Sequence, residues 1–390
     1  MTANALMRSQ IGRALQFINP PFYLFDLEVA RSACLEFLEN WRDAFPRTDA
    51  AYSYKTNSLQ EITRVLKASG CGAEVVSAEE LRWALADGHP ATSIYVNGSG
   101  KSRDLLDLAT QVGATINVDN RSELDTLREF SDRNPKLLLR ISHTVTSTQT
   151  SRFGFPQEDI GDVCRYARGQ NLSVGGFHFH VGGIGCSPAR HVEMFLVALS
   201  SWQQFARRER NLKISIGGGF PTSCNGQEVD ELFIKGFLQL VRHLDIDPLD
   251  LHLIAEPGRR IVECAGSLVV RVIAEKLSNG RKLLLTNGGT HLLRYRSARS
   301  VEFLGETGGE STYDVYGRLC YESDLLADGV VGPGCVPEGT PLIFYGAGAY
   351  DFSMSWTWND HLPKVLVTDS QEEATPEFLI SNKRLDGRQC

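Results

Sequence analysis

The chain has 390 residues, 42% of them hydrophobic, which is enough apolar material for a large core and, on length alone, suggests two domains. A formal net charge of −7 without any basic stretch argues against a nucleic-acid or membrane partner and leaves only local binding of small anions. The opening MTANALMRSQIGRALQF lacks the continuous apolar core of a signal peptide, and no window approaches about 18 uninterrupted apolar residues, so the sequence reads as cytoplasmic.

In chain order, FYLFDL near residue 22 is a strand that either starts the main domain or links it to a second one. Eight short β-like segments follow: AYSYK (51–55), AEVVS (73–77), SIYVN (93–97), TINVD (115–119), KLLLRIS (136–142), SVGGFHFH (173–180), KISIGGG (213–219) and HLIAEP (252–257). Stretches such as SAEELRWALADG and RSELDTLREFSDR, apolar at helical spacing, separate them. Eight strand–helix units over about 205 residues predict an α/β fold, a (β/α)8 barrel, with an open doubly wound sheet as the alternative. After about residue 265 the pattern changes to SLVVRVIAEK, KLLLTN, VYGRLCY and PLIFYG with Gly, Asn and Pro turns, an antiparallel β domain. The expected division is therefore 1–26 joining the β domain, 27–265 as the barrel and 266–390 as the β domain. Nine scattered cysteines show no close pairs and no zinc-like spacing with histidine. They read as mostly buried thiols, with room for one chemical thiol and no metal site.

Chemistry-bearing residues gather at one end of the expected barrel. Lys55, Glu74, Asn97, Asp119, His143, His178, His180, Gly217 to Gly219 and Glu256 all fall at or just beyond strand C-termini, the rim where such barrels build active sites. Lys55 interrupts the strand AYSYKTNS where an amine, once desolvated or placed beside another cation, becomes a nucleophile toward a carbonyl. IGGGF (216–220) offers backbone N–H groups to an anion. AEPGRR (255–260) adds Glu256 and Arg259, and YGAGAYDFSM (345–354) adds a small-residue loop with Tyr350. A lysine, a carboxylate and three phosphate contacts are what pyridoxal 5′-phosphate requires. NGSGKS (97–102) ends like a nucleotide-binding loop, but Tyr95 stands where that motif needs glycine; Lys101 reads as an ordinary helix-start residue.

Taken together and in order, SYKTNS, GAEVVSAEEL, GFHFHVGG, IGGGFP, AEPGR, CYESD and GAGAY resemble the pyridoxal-phosphate decarboxylases of the alanine-racemase-like barrel fold, the group of diaminopimelate, ornithine and arginine decarboxylases. The resemblance spans about residues 20 to 367 and implies a homodimer with shared active sites. It implies that Lys55 holds the cofactor covalently, Glu256 pairs with its ring nitrogen and His180 stacks on its face. Glu74 would stand beside them, and Gly217, Gly218, Gly219, Arg259 and Tyr350 would surround the phosphate. Cys320 and Asp324 would reach in from the partner subunit, Cys320 as the acid that delivers a proton after carbon dioxide leaves.

The chain departs from that pattern in places. Glu74 replaces a usual aspartate, Gly183 a common serine, and Tyr321 follows Cys320 where the family supplies an acidic substrate contact, with Glu322 one place further on. Arg294, in NGGTHLLRYRSA, falls where diaminopimelate decarboxylases bind a distal carboxylate, with Arg296 and Arg299 close by. GGT, Tyr321 and GAYDFSMSW are also similar to decarboxylases of carboxylate-siderophore pathways, which act on an amino acid joined to citrate. The expected substrate is thus an amino acid or conjugate bearing a distal carboxylate. The alternatives are a racemase on the same fold and a non-catalytic decarboxylase-like regulator.

Overall fold

The computed structural model describes residues 3–142, 151–182, 187–205, 212–222, 226–293, 299–305, 308–358, 361–369 and 379–381. It comprises two units, one of Ala33–Lys55 and Thr63–Ile261, the other of Met1–Ser32, Thr56–Ile62 and Val262–Cys390. Among the described residues no helix is long and apolar enough to cross a membrane.

The first unit contains a closed barrel of eight parallel strands: Thr48–Ser53, Gly72–Val75, Ile94–Val96, Thr115–Val118, Lys136–Arg140, Val174–His178, Leu212–Gly217 and Leu251–Ala255. The last strand pairs with the first, Thr48 opposite Leu253. Strands covered on both faces need continuous apolar runs, and Lys136–Arg140 is buried from its second residue on. Ala51, Tyr95, Leu138 and Ile254 pack together from four different strands. All eight expected strands are present, and each ends one or two residues earlier than the sequence suggested. Lys55, Asn97, Asp119, His180 and Glu256 therefore stand on loops just past the ladder, whereas Glu74 and His178 remain within it.

Helices follow the strands, and three of them begin on side-chain caps. Ser77 Oγ accepts from Glu80 N at 3.1 Å, Ser102 Oγ from Leu105 N at 3.2 Å and Asn120 Oδ1 from Glu123 N at 3.1 Å. Outside the barrel, Trp41 packs edge-on against Phe220 and Phe237, with centroids 5.7 and 5.6 Å away, and Phe195 stacks on Phe237 at 4.2 Å. Each such fully buried aromatic contributes on the order of 1.5–3 kcal/mol.

In the second unit the 13-residue strand Gly266–Ser278 is the hub, pairing antiparallel with Phe22–Asp26, Arg281–Thr286 and Pro341–Tyr345. FYLFDL thus belongs to this sheet, where Phe22–Asp26 also runs parallel to Lys364–Thr368. A second parallel pair, Arg281–Thr286 with Ser311–Tyr316, makes the sheet mostly rather than wholly antiparallel. Helix Ala3–Ala14 lays Met7, Ile11 and Ala14 against Phe22, Val269 and Ile343. Of the expected strand VYGRLCY only Val315 and Tyr316 are ladder; from Gly317 the chain turns. The cause is Asp324, whose carboxylate accepts Leu319 N at 2.8 Å and so satisfies inside a turn the backbone that a strand would have paired.

Candidate active site

Glu256 follows strand Leu251–Ala255, and its backbone N–H donates to Gly217 O at 2.8 Å, so carboxylate and glycine run are set by one peptide contact. Its carboxylate is buried beneath donors from four other strands or their ends: Ser215 Oγ at 2.8 Å, Asn97 Nδ2 at 2.9 Å, Asn117 Nδ2 at 3.3 Å and His178 Nε2 at 3.3 Å. Burial alone would push this carboxyl up; the His178 and His180 imidazoles outweigh it and hold Glu256 well below its ordinary value. Burial pushes the His178 imidazolium down, and its contact with Glu256 at 3.3 Å counters that push.

Lys55 lies in the turn after strand Thr48–Ser53, where Nζ contacts Ser53 Oγ at 2.7 Å and forms a close ion pair with the buried Glu74 carboxylate. Ser53 Oγ also donates to that carboxylate, so strand-borne Ser53 and Glu74 aim the amine. His180 Nδ1 accepts Gly218 N–H at 3.0 Å, and Gly218 O accepts from His191 Nε2 at 3.1 Å, so the glycine loop is gripped on both sides. Glycine is required there. Gly217 sits at φ +63°, and a Cβ on it would lie 2.3 Å from Phe179 O; at Gly182 a Cβ would lie 1.8 Å from His180 Nε2. Arg259 opens the short helix Arg259–Val262 beyond Glu256, and its carbonyl accepts Thr222 Oγ1 at 3.1 Å.

Lys55, Glu74, Asn97, Arg140, His178 and His180 are among the walls of a cavity of about 500 Å³. Sequence reasoning gave no role to Ser53, Asn117, Arg140, Ser215 or Arg152. The available signal was a polar side chain inside an apolar parallel strand, as in TINV and LKISIG. Lys101 is corrected: it is no surface residue at a helix start, because its side chain is fully buried against Glu123. His178, His180 and Glu256 bring possible metal-ligand atoms within 4.8 Å of one another. His180 Nδ1 already accepts a backbone N–H and Glu256 is ringed by neutral donors, which suits a hydrogen-bonded ring nitrogen better than an ion.

The remaining expected residues belong to the second unit. Tyr350 has a left-handed φ of +70°, and its N–H donates to the carbonyl of Thr56, the residue after Lys55, at 2.8 Å. Cys320, Tyr321 and Glu322 are exposed on the Gly317–Asp324 turn, with Tyr321 stacked on Trp358 at 5.3 Å and its hydroxyl against Thr290. Asp324 is buried, accepting Thr290 N at 2.7 Å and Thr290 Oγ1 at 2.9 Å as well as Leu319 N; its carboxylate is committed to the turn. Arg294, Arg296, His143 and Gly183 lie outside the described residues.

The cavity suits pyridoxal phosphate on structural grounds. Glu74 Oε1 and His178 Nδ1, both buried and on cavity-lining residues, have no hydrogen-bond partner among the described residues, and Gly217 and Gly218 pack too closely on the Phe179 and Glu256 carbonyls to admit a Cβ. A lysine aimed by a carboxylate, an ionised glutamate walled in by donors and a glycine-rich turn at the mouth of a (β/α)8 barrel define the class of pyridoxal-phosphate enzymes built on that fold. The chain belongs to the pyridoxal-dependent decarboxylases: the family's pyridoxal binding domain matches residues 32–263. It is a pyridoxal-phosphate-dependent carboxy-lyase. It is 29% identical over 370 residues to the diaminopimelate decarboxylase of Deinococcus radiodurans, covering 91% of each chain. It is 28% identical over 385 residues to that of Methanothermobacter thermautotrophicus, covering 92% of this chain and 89% of the relative. The crystal structure of diaminopimelate decarboxylase from Helicobacter pylori complexed with L-lysine superposes with a TM-score of 0.80 at 22% identity, over 94% of this chain and 95% of that one.

Proposed function

We propose that the chain decarboxylates an amino acid, or an amino-acid conjugate, whose far end carries a carboxylate. The observation that carries this reading is Arg152. This exposed residue is part of the cavity wall, its guanidinium lies over the Phe153 ring at 4.4 Å, and no carboxylate pairs with it among the described residues. The other cavity cations are matched, Lys55 by Glu74 and Arg140 by Asp119. An arginine left without a partner suits an anionic ligand group, which it can bind in bidentate fashion. The named activity of the relatives, and Arg294 in the segment similar to their carboxylate-binding one, support the same class. Tyr321, stacked on Trp358 where an acidic contact is usual, fits a bulkier or less cationic distal group such as a citryl amide.

In this reading Lys55 holds the cofactor covalently and Glu256 keeps a proton on its ring nitrogen, so that the bound cofactor supplies the electron sink decarboxylation needs. His180 covers one ring face, and Gly217, Gly218, Gly219, Arg259 and Tyr350 hold the phosphate. Cys320, delivered by a partner chain in a cytoplasmic homodimer, donates the proton that replaces the departing carboxylate; Asp324 shapes its loop and Glu322 flanks it. A racemase is disfavoured because an ionised Glu256 strengthens the sink that racemases weaken. The test is carbon dioxide release, followed by mass spectrometry, from diaminopimelate, citryl-amino acids, ornithine and arginine. Turnover is expected with the first two only, and kcat/KM for them should drop at least about tenfold in Arg152→Ala, the loss of one charged contact. Equal kcat/KM for ornithine or arginine would overturn the substrate class. Borohydride should fix the cofactor to Lys55, and fixation elsewhere would overturn the assignment of that lysine.

A further inference from the structure

Lys101 belongs to a segment that the sequence offered as a failed nucleotide loop, and nothing in the reaction uses it directly. It nevertheless starts a chain of contacts that ends in the active-site cavity. Its Nζ donates to Glu123 Oε2 at 2.9 Å and to the carbonyl of Gly98 at 2.6 Å. The same Glu123 oxygen accepts the backbone N–H of Asp119 at 2.9 Å. Asp119 Oδ1 in turn accepts Arg140 Nη1 at 3.1 Å. Arg140 lines the cavity with its guanidinium 4.3 Å over the Phe153 ring. The side chains of Lys101, Glu123, Asp119 and Arg140 are 0, 4, 3 and 10% exposed, so two cations and two carboxylates form a buried, neutral quartet.

The contact with Gly98 opens a second route. Asn97, Gly98 and Ser99 are consecutive wall residues of the cavity, and Asn97 Nδ2 is one of the donors to Glu256. Ser99 O is tied by Asn120 Nδ2 at 3.4 Å, and Asn120 caps the helix that carries Glu123. Burial pushes the Lys101 ammonium down and the Glu123 carboxylate counters that push, so the amine depends on its partner for its charge.

We propose that Lys101 is a positioning residue of the active site: through the Gly98 carbonyl it fixes the wall that sets Asn97 on Glu256, and through Glu123 and Asp119 it fixes the Arg140 guanidinium. The inference concerns the cofactor pocket and stands whatever the substrate proves to be. Two variants test it. Lys101→Met keeps the apolar stem but leaves Glu123 buried without its counter-charge, so a loss of fold is expected along with any effect on the site. Lys101→Met/Glu123→Gln removes both charges, and the amide oxygen then at position 123 can still accept from Asp119 N.

The melting temperature of the double variant should recover most of what the single variant loses, while its site stays defective. Affinity of the cofactor-free double variant for pyridoxal phosphate, read by fluorescence quenching, should be about tenfold to a hundredfold weaker, the scale of a pocket wall displaced by about an ångström. The acid limb of its pH–rate profile should move to higher pH, because Glu256 holds one donor less firmly. Wild-type cofactor affinity and pH profile in the double variant would overturn the proposal, since Lys101 and Glu123 would then only neutralise each other. A double variant that fails to fold would overturn it too, because the pair would then be needed by the fold rather than by the site.

Discussion

Ser215→Ala isolates one of the four donors around Glu256. Ser215 Oγ lies 2.8 Å from Oε1, both groups are buried, and the remaining donor to that oxygen is Asn117 at 3.3 Å. A hydrogen bond to a charged group contributes about 1.5–3 kcal/mol. Because this one favours the ionised carboxylate, its loss appears as easier protonation, and at 1.36 kcal/mol per pH unit the acid limb should move up by about 1–2 units. The sign follows from the folded state. Glu256 is held below its ordinary 4.5, so its contribution is complete above that pH and is lost as pH falls through the lower folded value. Urea denaturation of the cofactor-free variant should therefore show a deficit of about 1.5–3 kcal/mol at pH 7 that narrows only below pH 4.5, as pH falls toward the lowered folded value. The kcat/KM profile should keep its neutral plateau and lose activity earlier on the acid side. A deficit that fails to narrow at any acid pH, with an unmoved acid limb, would mean that Ser215 merely fills space.

Other outcomes follow from the same geometry. Glu256→Gln turns an acceptor into a group whose amide must face the Asn97 or Ser215 donors; kcat should fall at least about a hundredfold while cofactor stays bound, and an unchanged kcat would refute the ring-nitrogen pairing. Gly217→Ala must place a Cβ 2.3 Å from Phe179 O at a left-handed φ, so a loss of about 1–3 kcal/mol and of cofactor retention is expected from thermal melts and absorbance. Burial raises the Glu80 carboxyl from 4.5 to about 7, outweighing the Val76 N–H that it accepts. Its folded value exceeds its unfolded one, so stability should decline between those pH values by at most about 3 kcal/mol, and Glu80→Gln should abolish that decline in a pH series of melts.

Much of the barrel was legible because strands buried on both faces must be written in continuous apolar letters, and KLLLR or HLIA admits few other readings. Lys55, His180, the glycine run and Glu256 were legible too, since each breaks such a run where a strand leaves the barrel. The support around Glu256 was not. Asn97, Asn117, His178 and Ser215 come from four places in the chain and converge only on closure, and nothing local says that an asparagine inside a strand points at a carboxylate 139 residues away. Lys101 was misread because charge at a helix start is normally solvated; its long stem reaches back to Gly98 and Glu123 instead. The turn at Gly317 escaped for a similar reason, as Asp324 supplies from a distance what the backbone would otherwise seek in a ladder.

The parallel pairing of Phe22–Asp26 with Lys364–Thr368 bears on how the chain is made. On a ribosome the aromatic-rich FYLFD emerges early, yet its parallel partner follows roughly 340 residues later, some tens of seconds at ordinary rates of elongation. The eight barrel strands lie between the two in sequence and can close among themselves first. For that interval a largely apolar strand edge waits in the nascent state, which makes FYLFD the first place to look when truncated versions of the protein aggregate.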